Sequence, residues 1–191
     1  NEVVKEEKRQ SYDRPYGKIF KVLGENLFSV HPYKDENIGR MEDLDAATLD
    51  DFYSYFEKYY GPGNAVLVVA GDINIEETKG LVTKYFSAVK PKPELVRSFP
   101  QEDPITELSR VKTYDANIQV PAILAAYRTP GYTERDAYVL DMISAYLSGG
   151  KSSVLYKKLV DRQKQAREVA AINISQKDYS MFTFLALPLG D

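Results

Sequence analysis

Between Lys90 and Pro104 the chain reads KPKPELVRSFPQEDP, and this stretch limits the folds open to everything on either side of it. Proline has a fixed φ and no amide hydrogen. Pro91, Pro93, Pro100 and Pro104, four prolines in fourteen residues, therefore exclude a regular helix or an inner strand there. The stretch reads as a linker. Of 191 residues it leaves a stretch on each side, each long enough for a small unit of helices and strands.

Periodicity fills in both sides. EVVKEEKRQSY reads as the end of a helix. Tyr16, Ile19, Phe20, Leu23 and Leu27 recur at helical spacing and predict a second helix over YGKIFKVLGENLF. VHPYKDENIGRMEDLDA is rich in turn formers and reads as loop. Thr48 can cap a helix whose apolar face is Leu49, Phe52, Tyr53, Phe56, Tyr59 and Tyr60. GPGN ends it. NAVLVVAGD, a short continuous apolar run, predicts a buried strand. Ile75 to Phe86 reads as a helix with Leu81, Val82, Tyr85 and Phe86 inward. Beyond the linker, ITELSRVKTYDA and PAILAAYRTP read as strands, Arg135–Leu147 and Ser152–Arg162 as helices, and REVAAINIS and YSMFTFLALPL as strands. No repeat relates the two sides at residue level.

Composition excludes several functions. Net charge is −3 with both signs interspersed, which argues against nucleic acid, because phosphate binding needs a basic field. There is no Cys and a single His, His31, so a zinc site built from this chain alone would be unusual. His31 is followed by Pro32 and reads as a loop residue packing its ring. No apolar run approaches membrane-spanning length. No signal peptide is present, and the chain does not begin with Met. Its first residues already look helical, which suggests a piece of a longer protein. Gly149, Gly150, Lys151, Ser152 and Ser153 make an anion-friendly helix start, but no GxxxxGK[ST] phosphate loop is present. The fifteen tyrosines read mostly as core and amphipathic filler.

YYGPGNAVLVVAGDINIEETKGLVTKYF resembles a stretch of the pitrilysin/insulinase metallopeptidases, the inverzincins. In that family a helix ending in an aromatic pair leads through a Pro-Asn turn into a strand. Gly-Asp follows, then a helix that ends in an aromatic. SYDRPYGKIF, HPYKDENIGRMEDL and the helix from Thr48 keep the family's order upstream, and LSGGKSSVLYKKLVDRQ resembles a helix start of its second unit. The resemblance covers essentially the whole chain. It implies an α+β fold: a two-unit fragment, each unit a mainly antiparallel sheet packed with helices. Residues 1–90 would be the later part of a first, zinc-binding peptidase unit, 91–106 the Pro-rich linker, and 107–191 the beginning of a second, peptidase-like unit.

The resemblance also implies chemistry. The family holds zinc with the two histidines of an HxxEH motif and a glutamate on a later helix, and the motif's own glutamate is the general base. The later glutamate falls on Glu6. A supporting carboxylate about two helical turns earlier would precede residue 1. HxxEH is absent, so no catalytic residue is expected in this chain, and no zinc bound to it alone. Zinc belongs to the full-length parent. Glu7, Lys8 and Arg9 read as a solvated face. Glu2 and Glu6, at i,i+4, repel one another, which a nearby cation would relieve. Tyr127 and Arg128 lie at a strand end where, on the resemblance, second-unit residues line the substrate cavity. By themselves they read as an edge strand with a surface Arg. The implied function is a fragment of a zinc-dependent metalloendopeptidase acting on peptides or unfolded polypeptides. Its partners would be the missing upstream segment or a paired subunit. The alternative is a non-catalytic partner or core subunit of the same family, which has no chemical need for a carboxylate at Glu6.

Overall fold

The computed structural model describes residues 1–92 and 95–190. Pro93 of the linker lies outside the described residues. Contacts gather the chain into two units, one of residues Asn1–Glu2 and Gly39–Phe99, the other of Val3–Ile38 and Pro100–Asp191. The boundary at Phe99/Pro100 falls inside the proline-rich stretch. Residues 3–38 pack with the later unit.

The helical unit, Gly39–Phe99, contains α3 (Met41–Ala46), α4 (Leu49–Tyr59) and α5 (Ile75–Phe86). α3 lies in the segment expected to be loop. α4 starts at a capping box: Thr48 Oγ1 accepts the Asp51 N–H at 3.3 Å while the Asp51 carboxylate accepts the Thr48 N–H at 2.8 Å. Thr48→Ala is expected to cost about 1 kcal/mol, the usual value of such a cap, read as a fall in the denaturation midpoint. α4 ends where Asn64 Nδ2 donates to the Tyr59 carbonyl at 2.9 Å. α5 is capped by Asn74, whose side chain accepts the Glu77 N–H.

The sequence and the structure part company between these helices. Residues 65–70 form neither helix nor strand, and among the described residues NAVLVVAGD joins no ladder. Ala65 has strand-like φ −134° and ψ 145°, but a strand is defined by a neighbour's hydrogen bonds, and none lies beside it among the described residues. Val66 and Val68 are 90% and 79% exposed instead of buried. Leu81, Tyr85 and Phe86 of α5 and Phe52, Tyr53 and Phe56 of α4 are exposed too, against the inward placement expected for α5. Leu67, Val69, Ile73, Ile75 and Val82 line a groove of about 530 Å³.

The other unit is built round a three-stranded antiparallel sheet of order β1-β3-β2, with β1 (Ile123–Pro130), β2 (Ala166–Ile174) and the central β3 (Tyr179–Pro188). ITELSRVKTYDA, expected as a further strand, has no ladder partner among the described residues. α1 (Glu2–Asp13), which enters this unit from Val3 on, and α2 (Ile19–Leu27) precede the sheet in the chain. Leu23, Leu27, Phe28 and Met181 form a buried cluster, ringed by Ile19, Tyr33, Leu124, Ala126, Ile174 and Tyr179. α6 (Arg135–Ser148) lies against the opposite face, where Asn173 Nδ2 reaches the Ala137 carbonyl and Asp141. Ser148 Oγ accepts the Ala171 N–H at 2.9 Å, and both Ser144 and Ser148 donate to the Ala171 carbonyl. These hydroxyls satisfy a backbone position of the β2 edge that would otherwise invite a further strand.

Two local geometries differ from a plain reading of the sequence. Tyr156–Arg162 is a π-helix, with the Gln163 N–H bonded to the Lys158 carbonyl, where an α-helix was expected. Gly131 is dictated by close approach: a Cβ there would meet the Lys177 carbonyl oxygen at 2.0 Å, while the neighbouring Tyr132 N–H bonds the Gln176 carbonyl.

Candidate functional site

Glu6 sits mid-helix on α1, its side chain 56% exposed. Its carboxylate accepts from Arg9 Nη1 at 3.3 Å and Gln10 Nε2 at 3.4 Å, both long and both on the same exposed helix face. Weak, solvated partners of this kind leave a carboxylate available to a stronger one. The charged run is not solvated throughout, and this corrects the expectation for Lys8. Lys5 and Lys8 are buried, and Lys8 Nζ lies 3.1 Å from Glu36 Oε2. Tyr12, one turn on, donates its hydroxyl to the same Glu36 oxygen. Burial, then this carboxylate, push the Tyr12 hydroxyl well above its ordinary pKa. α1 thus turns Lys5, Lys8 and Tyr12 inward and leaves Glu6, Arg9 and Gln10 outward.

Among the described residues no group of three or more His, Cys, Asp or Glu side chains is placed to hold a metal ion. Glu6 fits the chemistry of one zinc ligand, as an available carboxylate. It does not make a site, which needs three protein ligands. His31 is far from being a solvent-facing donor: it is 2% exposed, with the rings of Tyr33 and Tyr179 at 4.3 and 5.3 Å. Its Nδ1 accepts the Tyr33 N–H at 3.2 Å, and its Nε2 lies 3.4 Å from Asp178 Oδ2. The ring packs in a loop, as its sequence context suggested. At the glycine-serine stretch, Gly150 has φ 91° and its carbonyl accepts the Ser153 N–H.

Tyr127 and Arg128 are neighbours on β1 and so point to opposite faces of the sheet. Tyr127 is 57% exposed and meets Phe184 edge-on at 6.3 Å. Arg128 points to the α2 side, its side chain only 9% exposed. Nη1 donates to the Leu27 carbonyl at 2.8 Å and to Glu102 Oε2 at 3.0 Å, and Nη2 donates to the Asp103 carbonyl. The guanidinium lies over the rings of Phe28 and Tyr179.

Glu102 completes this arrangement, and sequence reasoning missed it. Its Oε1 accepts the backbone N–H groups of Ser29, Val30 and His31 at 2.8, 2.7 and 2.7 Å, and its own N–H donates to the Tyr179 hydroxyl at 3.0 Å. The side chain is 2% exposed. Burial pushes the carboxyl up, but the amides of His31, Val30 and Ser29 and the Arg128 charge outweigh it and hold the pKa below the ordinary value. A depressed carboxyl contributes stability above its ordinary titration range and loses it as pH falls through the folded-state value. No periodic pattern marks Glu102. The only signal was an acid between two prolines in a stretch that has no ladder of its own.

Similarity to other proteins places the fold. Residues 46–188 match the family described as the Peptidase M16 inactive domain. The chain belongs to the M16 peptidase family. It is 30% identical over 188 residues to the zinc protease PqqE of Helicobacter pylori, covering 97% of this chain and 42% of that one. An uncharacterized zinc protease of Mycobacterium leprae is 26% identical over 174 residues, covering 88% of this chain and 38% of its own. Among solved structures, a protease from Helicobacter pylori superposes with a TM-score of 0.82 at 28% identity, over 100% of this chain and 47% of that one. The peptidase M16 inactive domain from Pseudomonas fluorescens superposes with a TM-score of 0.80 at 15% identity, over 98% of this chain and 47% of its own, which speaks for the fold alone. The chain thus spans less than half the length of these relatives. No helix among the described residues is long and apolar enough to cross a membrane.

Proposed function

We propose that this chain is part of a zinc-dependent metalloendopeptidase that cleaves peptides or unfolded polypeptides, and that Glu6 is one of the zinc ligands. The observation that carries the reading is the family membership, with relatives named as zinc proteases. The outward, weakly held carboxylate of Glu6 supports it. Residues 1–90 then contribute the later part of the zinc-binding unit and 107–191 the start of the second, joined by 91–106. The two histidines and the general base come from an HxxEH motif outside this chain. Bound zinc supplies an activated water and a polarised carbonyl. This chain's own part is to hold one carboxylate toward the metal and to line the cavity. Tyr127 offers an exposed ring to substrate there, and Arg128 fixes the strand end that carries it.

An upstream segment or a paired subunit is the partner this reading needs. The uncovered apolar residues Val66, Leu67, Val68 and Val69 support it, since contiguous apolar surface of this kind marks an interface. A second reading has its own support: the matching family is described as an inactive domain. On that reading the chain belongs to a non-catalytic partner or core subunit.

Elemental analysis and a peptide-cleavage assay separate the two. The isolated chain is expected to carry no stoichiometric zinc and to cleave nothing. The longer protein is expected to carry one zinc per active site and to lose cleavage to a chelator. Stoichiometric zinc on the isolated chain that Glu6→Ala removes would overturn the first expectation. A longer protein without zinc or cleavage would leave the partner-subunit reading standing.

A further inference from the structure

We propose that residues Ser29–His31 and Arg128 form a carboxylate-binding socket, that Glu102 is its built-in occupant, and that the linker docks on the sheet unit through this replaceable carboxylate. Three consecutive backbone N–H groups converge on one oxygen, at 2.8, 2.7 and 2.7 Å. Successive amides arranged this way form a concavity that selects an anion. The second oxygen takes the Arg128 guanidinium at 3.0 Å, so both ends of the carboxylate are read. Neutral side chains do not satisfy such a set: an amide offers one acceptor oxygen and brings a donor against the arginine.

The socket is held by parts that do not include Glu102. The Leu27 carbonyl fixes Arg128 Nη1 at 2.8 Å, and Phe28 and Tyr179 stack on the guanidinium with their ring centres 5.9 and 5.5 Å away. Phe28 itself belongs to the buried cluster with Leu27 and Met181. The occupant, by contrast, sits on a segment with no helix or strand, between Pro100 and Pro104. Among the described residues its attachments include the carboxylate, the Glu102 N–H on the Tyr179 hydroxyl, and the Asp103 carbonyl on Arg128. A receptor tied into the core and a short donor segment without helix or strand are what a docking contact needs. The chemistry it recognises is a lone carboxylate, so acetate or formate serves as the probe.

The test uses the whole chain. Glu102→Ala takes the shared acceptor from three amides and leaves the guanidinium without its carboxylate, with the Leu27 and Asp103 carbonyls alone, in a closed site. Loss of one partner from a buried charged pair typically lowers the melting temperature of a chain of this size by about 5–10 °C. Acetate at about a hundred millimolar, with ionic strength balanced by chloride, is expected to recover at least half of that fall, because a small carboxylate re-enters the emptied socket. The unsubstituted chain, whose socket is full, is expected to shift by less than about 1 °C under the same change. Recovery by chloride equal to that by acetate, or none by either, overturns the proposal. If Glu102→Ala does not fold, Glu102→Gln keeps the side chain's shape. Amide exchange at Ser29, Val30 and His31 is then expected to quicken at least about tenfold, in line with one lost charge-assisted bond. Unchanged exchange there also overturns it.

Discussion

Phe28→Ala is expected to destabilise the sheet unit by about 3–5 kcal/mol, lowering its thermal midpoint by about 10 °C. Phe28 is 2% exposed and belongs to the buried cluster with Leu23, Leu27 and Met181. Its ring also meets Tyr33 edge-on at 5.7 Å and lies under the Arg128 guanidinium. Truncation removes the transfer energy of a large ring and leaves a cavity that the backbone of residues 29–31, pinned by Glu102, cannot close. Phe20 is the control. It lies eight residues earlier, on α2, and is 60% exposed. Phe20→Ala should stay within about half a kcal/mol, as exposed substitutions do. Denaturant unfolding of the two variants side by side decides it. A loss below about 1 kcal/mol for Phe28→Ala would mean the core lies elsewhere.

Those two phenylalanines also mark how far the sequence could be read. Both sit in the segment predicted as the second helix, YGKIFKVLGENLF. The period of 3.6 placed Ile19, Leu23 and Leu27 on one face, and that face is the one that packs. It also put Phe20 on that face, and Phe20 is exposed. α4 was legible for a similar local reason, since Thr48 carries cap chemistry that acts within one turn of the chain, and α5 and α6 from the spacing of their apolar residues. β1, β2 and β3 were legible because each finds an antiparallel neighbour within this chain.

Periodicity says which face is apolar but not what covers it. NAVLVVAG and ITELSRVKTYDA have strand composition, yet a ladder depends on a second backbone, and no composition supplies one. Leu81, Tyr85 and Phe86 failed in the same way: their spacing marks a face of α5, and the face is uncovered. The candidate site was less legible still. Lys8 reads as one cation among several, and its burial depends on Glu36, twenty-eight residues away in the chain. Glu102 bonds amides more than seventy residues distant. Such pairs obey no local period, so a single sequence carries no trace of them. Tyr127 and Arg128 were singled out together, and the alternation of a strand then turned them to opposite faces.

Glu6→Gln in the longer protein is expected to lose most of the bound zinc and, with it, peptide cleavage, while the metal-free melting temperature stays where it was. A carboxylate ligand neutralises part of the metal's charge and completes its tetrahedral set, so an amide in its place binds far more weakly. Even partners one shell further out typically change metal affinity 10–100-fold, and a direct ligand should do no less. Folding has little at stake in this residue. Among the described residues the Glu6 carboxylate meets Arg9 and Gln10, at 3.3 and 3.4 Å on an exposed helix face, contacts worth at most a few tenths of a kcal/mol. Glu7→Gln in the same background is the matched control: it changes the same charge one residue along the helix, about 100° round its axis. It should leave zinc content, cleavage and melting temperature nearly unchanged. The opposite result, with Glu7→Gln inactive and Glu6→Gln active, would move the ligand by one residue. Zinc and cleavage indifferent to both would remove the metal from this helix altogether and turn the chain into a partner subunit of its family.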